Sequence, residues 1–151
     1  MTSSVPVIGQ LNLVVRDMAA TVAFFRSLGL AVEESDEPQW RAWRAHHARV
    51  TMPSGCRLEL DSAAFAKQWN PGFKGQPGNA GCVLFFSVAA RNDVDRLFQL
   101  AAGAGYGTQK APEDAFWGAR YAIVEDPDGN AIGFMSPIDP ARRRAPPPPP
   151  R

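Results

Sequence analysis

The strongest constraint on this chain is an internal repeat. Residues 7–15 are a run of branched apolar side chains. Asp17 then stands as the N-cap of a helix whose Met18, Val22, Phe25 and Leu28 fall on one face, closed by Gly29. Residues 30–35 read as a strand, 36–38 as a break, and 46–52 and 56–61 as two strands joined by the turn Pro53-Ser54-Gly55. The order then recurs, with a strand at 82–88, a helix capped by Asn92 that carries Val94, Leu97, Phe98 and Ala101, and strands at 106–110, 120–125 and 131–134. Gln10 in the first strand and Val83 in its counterpart are 73 residues apart, and Glu59 and Gly133 in the closing strands are 74 apart. Near-equal offsets at both ends of the unit predict a duplicated βαβββ module.

The expected fold is therefore α+β, two tandem modules with helices outside a mixed sheet, built as a single domain over residues 1–140. Module 1 spans about 7–61, a Gly/Pro-rich linker with one helical turn around Phe65 spans about 62–81, and module 2 spans about 82–137. Residues 141–151, with Arg142 to Arg144 and Pro146 to Pro150, read as a disordered, solvated Arg/Pro tail, because a proline run cannot pair in a sheet.

An apolar content of 45% in 151 residues supports a packed core, and a net charge of +1 supplies no field that would draw nucleic acid or an anionic membrane. Cys56 and Cys82 lack metal-type spacing and read as buried free thiols. With no basic-then-apolar leader and no membrane-length apolar run, a cytoplasmic location is expected.

The duplicated unit ending in DPDGN (126–130) resembles the vicinal oxygen chelate superfamily, the glyoxalase, bleomycin-resistance and dioxygenase group. FWGARYAIVEDPDGNAIGFMSP (116–137) looks like the closing signature of its bleomycin-resistance-like branch, and LNLVVRD (11–17) and FFRSLGL (24–30) add to the likeness. The resemblance implies that the modules pair into a curved, barrel-like sheet around a cavity, and that the protein is a homodimer. On that fold, two-residue alternation turns Leu11, Leu13, Val15, Leu58 and Leu60 to the core. It turns Gln10, Asn12, Arg57, Glu59, Asp61, Val83, Phe85 and Met135 to the cavity.

Metal-dependent members of the family place ligands at positions that fall here on Gln10, Glu59, Val83 and Gly133. Valine and glycine offer no donor, so no metal or other cofactor is expected; Gln10, His47 and Glu59, with water, form the one arrangement that the sequence permits. Glu59 is the candidate catalytic residue as a general base, against the plainer reading that Arg49 or Arg57 neutralises it. Trp40, Trp43, Trp69 and Trp117 fall in loops or at strand edges and suggest an aromatic rim. The expected ligand-binding set is Gln10, Asn12, Trp40, Trp43, His47, Arg57, Glu59, Phe85, Trp117 and Met135, and Arg49, Arg57 or Arg120 is available for an anionic group.

Three functions stay open. One is metal-free binding of a small planar aromatic molecule, as in antibiotic sequestration. Another is a lyase, isomerase or dioxygenase using Gln10, His47 and Glu59, or Glu59 alone as base. The last is an assembly module whose cavity its own side chains fill.

Overall fold

The structure, a computed structural model, describes residues 8–34, 38–71, 73 and 82–148, and of residues 38–40 the backbone alone. The chain divides into two compact units, Met1–Gly78 and Asn79–Arg151. In the first unit, β1 (Gln10–Val15), α1 (Met18–Ser27), β2 (Val32–Glu34), a 3-10 helix (Pro38–His46), β3 (His47–Thr51), β4 (Arg57–Ser62) and α2 (Ala63–Trp69) follow in order. Its sheet runs β1-β4-β3-β2, with β1 parallel to β4 and the other pairs antiparallel.

The second unit repeats this plan. β5 (Val83–Ser87), α3 (Arg91–Gly103), β6 (Thr108–Asp114), β7 (Arg120–Glu125) and β8 (Ala131–Met135) form a sheet of order β5-β8-β7-β6, again with one parallel pair, β5 to β8. The α+β class and the duplicated βαβββ module are therefore seen directly.

Each sheet buries one face under its own helix. In unit 1, Leu13, Val15, Ala48, Val50, Leu58 and Leu60 share a face by register and are buried, as are Val22, Phe24 and Phe25 of α1. Each such large side chain contributes about 1.5–3 kcal/mol by leaving water. The Asp17 carboxylate accepts the amide of Ala20 at 2.9 Å and starts α1 as the sequence implies, and Gly29 ends the turn at φ +86°. In unit 2, Ile132, Phe134, Ala122 and Val124 pack with Val94, Leu97 and Ala101 of α3.

Several expectations are corrected. Leu11 is 42% exposed, because it stands near the start of an edge strand. The second-unit helix begins before Asn92, with Ala90 at its N-cap and the Asp93 carboxylate accepting the Ala90 amide at 3.1 Å. The turn expected around Phe65 is a seven-residue helix, capped by the Ser62 hydroxyl on the Phe65 amide at 3.1 Å; residues 72 and 74–81 of the linker lie outside the described residues. The strand expected at 106–110 runs instead over Thr108–Asp114, and it includes Pro112 because its pairing shifts register twice on an edge, where a missing N–H costs little. Neither thiol is buried: Cys56 is half-buried and Cys82 exposed, each just before a strand.

The three tail arginines do not all trail into solvent. Pro140–Arg142 forms a 3-10 turn, Arg142 pairs with Asp139 at 3.2 Å and Asp114 at 3.8 Å, and Arg144 donates to the Asp114 carbonyl at 2.8 Å. Among the described residues no helix is long and apolar enough to cross a membrane.

Candidate functional site

In unit 1 the face away from α1 is polar. Strand alternation puts Arg57, Glu59 and Asp61 of β4 on it, and register sets Gln10 beside Arg57, Asn12 and Arg49 beside Glu59, and His47 beside Asp61. These side chains close a ring. The Arg57 Nη2 donates to Gln10 Oε1 at 2.8 Å, Gln10 Nε2 to Asn12 Oδ1 at 2.9 Å, and Asn12 Nδ2 to Asp61 Oδ2 at 2.8 Å. His47 Nδ1 lies 2.7 Å from Asp61 Oδ1, and its Nε2 lies 3.4 Å from Glu59 Oε2. Arg49 Nε donates to Glu59 Oε1 at 2.8 Å, and Arg57 Nε approaches the same oxygen at 3.7 Å.

Two carboxylates are buried in this ring, Glu59 at 3% exposure and Asp61 at 1%. A buried charge persists only when paired and hydrogen-bonded, which is what the ring provides. The salt-bridge reading of Glu59 is thus realised on one oxygen. The other, Oε2, is buried without a hydrogen-bond partner among the described residues. His46, the last residue of the 3-10 helix, sits 2.8 Å from the Ser62 hydroxyl.

Register carries each of these positions into unit 2, where the chemistry inverts. Val83 stands for Gln10, Phe85 for Asn12, Gly133 for Glu59, Met135 for Asp61, Tyr121 for His47 and Ile123 for Arg49. The open face there is apolar and aromatic. Phe85 lies 6.4 Å from Tyr121, Tyr121 5.0 Å from Trp117, and Trp117 5.0 Å from Phe116, all centroid to centroid. The Phe85 ring covers Gly133 so closely that a Cβ built at 133 would fall inside contact distance of three ring carbons. Lys110 Nζ stands 6.0 Å from the Tyr121 ring centre and pairs with Glu113.

Arg120 leaves the list of anion-binding candidates. It grips Asp95 through two nitrogens, at 2.6 and 2.7 Å, and Asp114 at 2.9 Å, while Arg91 also reaches Asp114. The hydrogen bonds from Arg120 hold both carboxyls below the usual aspartate range and raise its own pKa in turn.

Residues 7–134 match the Glyoxalase/Bleomycin resistance protein/Dioxygenase superfamily. The chain belongs to that family. Solved structures agree in fold. A glyoxalase-related enzyme from Fulvimarina pelagi superposes at a TM-score of 0.72, with 17% identity over 88% of this chain and 89% of the other. A glyoxalase/bleomycin resistance protein/dioxygenase family enzyme from Burkholderia phytofirmans gives 0.69, with 20% identity over 85% and 97%. A glyoxalase/bleomycin resistance protein/dioxygenase from Nocardioides gives 0.64, with 23% identity over 91% and 87%. Uncharacterised proteins of Mycobacterium tuberculosis and Mycobacterium bovis are 44% identical over 46 residues, a match that spans 30% of this chain and less than a third of their own length.

The family's four-donor metal centre does not fit the residues present. Gln10 Oε1 already accepts from Arg57, Glu59 Oε1 from Arg49, and the side chains of Val83 and Gly133 have no donor atom. A donor-bearing side chain at 133 would also collide with Phe85. Among the described residues no group of three or more His, Cys, Asp or Glu side chains could hold an ion.

Of the expected ligand set, the structure brings Gln10, Asn12, His47, Arg57 and Glu59 together in unit 1. Trp43 sits 5.3 Å from both His46 and Phe65. In unit 2, Phe85 and Trp117 both flank Tyr121, whose register partner is Met135. The side chain of Trp40 lies outside the described residues, and Trp69 ends α2 half in solvent. Two participants lie outside the expected ligand set: Asp61, which accepts from Asn12 and lies 2.7 Å from His47, and Tyr121, the central ring of the second face. Strand parity places Asp61 with Glu59, and the 74-residue offset carries His47 onto Tyr121, so both were within reach of the repeat arithmetic.

Proposed function

We propose that this family member binds a small, planar aromatic molecule by stacking, without a metal, and that such binding serves stoichiometric capture, as in antibiotic sequestration. The observation that carries the reading is the open row of rings, Phe85, Tyr121 and Trp117, spaced at 6.4 and 5.0 Å, with Phe85 42% exposed. Aromatic pairs at such separations contribute about 0.5–1.5 kcal/mol beyond area, so a flat ligand gains from each ring that it covers. The near-neutral charge of the chain suits a neutral or singly charged ligand better than a large cation. Capture needs no turnover, because free ligand falls as complex forms.

The test is quenching of tryptophan fluorescence by a panel of planar ligands. Saturable one-to-one binding is expected, weakened roughly three- to tenfold by Tyr121→Ala or Phe85→Ala. No saturable binding by any member of the panel, or one equivalent of iron, zinc, nickel or manganese retained after stripping and reloading, refutes it.

A second reading is an enzyme of the lyase, isomerase or dioxygenase kind, with Glu59 as base or with Gln10, His47 and Glu59 as a reduced metal site. One observation favours it. Glu59 Oε2 is buried without a hydrogen-bond partner, 3.4 Å from an imidazole that Asp61 orients. We also propose the homodimer that family likeness suggests, to be checked by light scattering.

A further inference from the structure

We propose that Arg49 and Arg57 form a site for the carboxylate of a small organic anion on the open face of the first unit. The proposal rests on the reading of the protein as a small-molecule binder and adds an anion site within the first unit.

Three observations converge. Both guanidinium groups point their Nε edge at a single oxygen, Glu59 Oε1, at 2.8 and 3.7 Å, so one negative charge faces two positive ones. Glu59 is buried, whereas the side chains of Arg49 and Arg57 are 42% and 46% exposed, so the guanidinium donors lie on the solvent side with the carboxylate behind them. The terminal nitrogens of Arg49, and Nη1 of Arg57, have no partner among the described residues; only Nη2 of Arg57 is used, on Gln10.

Nearby acids do not fill the vacancy. Asp61 sits two residues farther along β4 and already accepts from Asn12 and His47. Glu33, the register neighbour of Arg49 on β2, makes no ion pair with it, and Glu34 pairs with Arg26 instead. A guanidinium held from behind loses little side-chain entropy when it engages a ligand, and its planar fork matches a carboxylate. Each guanidinium presents a planar pair of N–H donors, so a planar carboxylate is the fitting guest.

The experiment titrates the full chain with 2-naphthoate, 2-naphthamide and inorganic phosphate, followed by calorimetry at low and physiological salt. Naphthoate is expected to bind about tenfold or more tighter than its neutral amide, with the margin shrinking as salt rises. Arg49→Met and Arg57→Met are each expected to weaken naphthoate about tenfold and to change the amide less than twofold. Removing an arginine beside buried Glu59 can unfold the protein, so Arg49→Lys and Arg57→Lys, which keep the charge and lose the fork, are run in parallel, with a smaller loss expected for naphthoate alone. Equal binding of acid and amide, or equal losses for both in the variants, overturns the anion site while leaving the small-molecule reading intact. Phosphate binding tighter than naphthoate overturns the carboxylate assignment. If neither aromatic probe binds, both readings fall.

Discussion

Gly133→Ala tests the packing on the open face of the second module. A methyl group at 133 meets the ring of Phe85, its register partner on β5, while the backbone there has no positive φ that would itself resist a side chain. The ring must therefore move. Phe85 is 42% exposed, so of roughly 200 Å² of side-chain surface rather more than half is covered, and complete expulsion costs about 3 kcal/mol as an upper bound. A swing into partial solvent costs about half of that. Replacing glycine by alanine returns about 0.5–1 kcal/mol by restricting the unfolded chain. The expected net loss is about 1 kcal/mol, with about 2 kcal/mol as the limit, or roughly 2–8 °C in Tm for a chain of this length. Urea unfolding followed by circular dichroism reads it. The decisive arm is the cycle with Phe85→Ala: once the ring is gone, Gly133→Ala should stabilise by about 0.5–1 kcal/mol, a reversal of sign. If the substitution destabilises equally in both backgrounds, Phe85 is not what fills the space over residue 133, and the argument that this position excludes a donor side chain fails.

Two further substitutions probe the charged clusters. Asp61→Ala leaves Asn12 Nδ2 and His47 Nδ1 without their acceptor and is expected to cost about 2–3 kcal/mol in urea unfolding, whereas a loss under 0.5 kcal/mol would show that the ring is not coupled to stability. In the second unit, the hydrogen bonds of Arg120 depress the carboxyl pKa values of Asp95 and Asp114, so their contribution is full above the unfolded value of 3.8 and is lost as pH falls through the lower folded values. The wild-type urea midpoint should thus fall more steeply below about pH 4 than that of Arg120→Met, and parallel acid limbs would refute the assignment.

Most of the fold could be read from the chain because its two determinants are local and occur twice. Periodicity places strands and helices, and the near-constant offset pairs them, so errors in one copy are checked by the other. What stayed hidden depends on partners distant in sequence. Alternation alone told that Glu59 and Asp61 share a face with Gln10 and Asn12, but not that these close a hydrogen-bonded ring with both carboxylates buried, since closure needs the parallel pairing of β1 with β4. Arg120 looked available for a ligand because its partner Asp95 lies 25 residues away on α3. The tail arginines looked unbound because Asp114, on an edge strand, gives no signal of its own. Pro112 hid the reach of β6, as a proline normally argues against a strand.

The duplication also shows how the open faces of the two modules diverge while the fold is kept. The helix-side residues of the two modules do the same work, Leu58 and Leu60 in one and Ile132 and Phe134 in the other, and substitutions there are limited by packing. The opposite faces are limited differently, by polar pairing in one module and by a single ring in the other. In the first module, donors are used up by one another: every oxygen of Asp61, one of Glu59 and that of Gln10 accept from neighbours. In the second, Gly133 and Phe85 exchange volumes across the strand pair, so that restoring a donor at 133 needs a smaller residue at 85 as well. A four-donor set would need donors at both 83 and 133 as well as a smaller residue at 85, and the coupling of 85 to 133 leaves Phe85 presented as a flat surface beside Tyr121. The missing side chain at 133 and the ring face at 85 are one packing arrangement, which is why Phe85→Ala is expected both to relieve position 133 and to weaken the proposed aromatic binding.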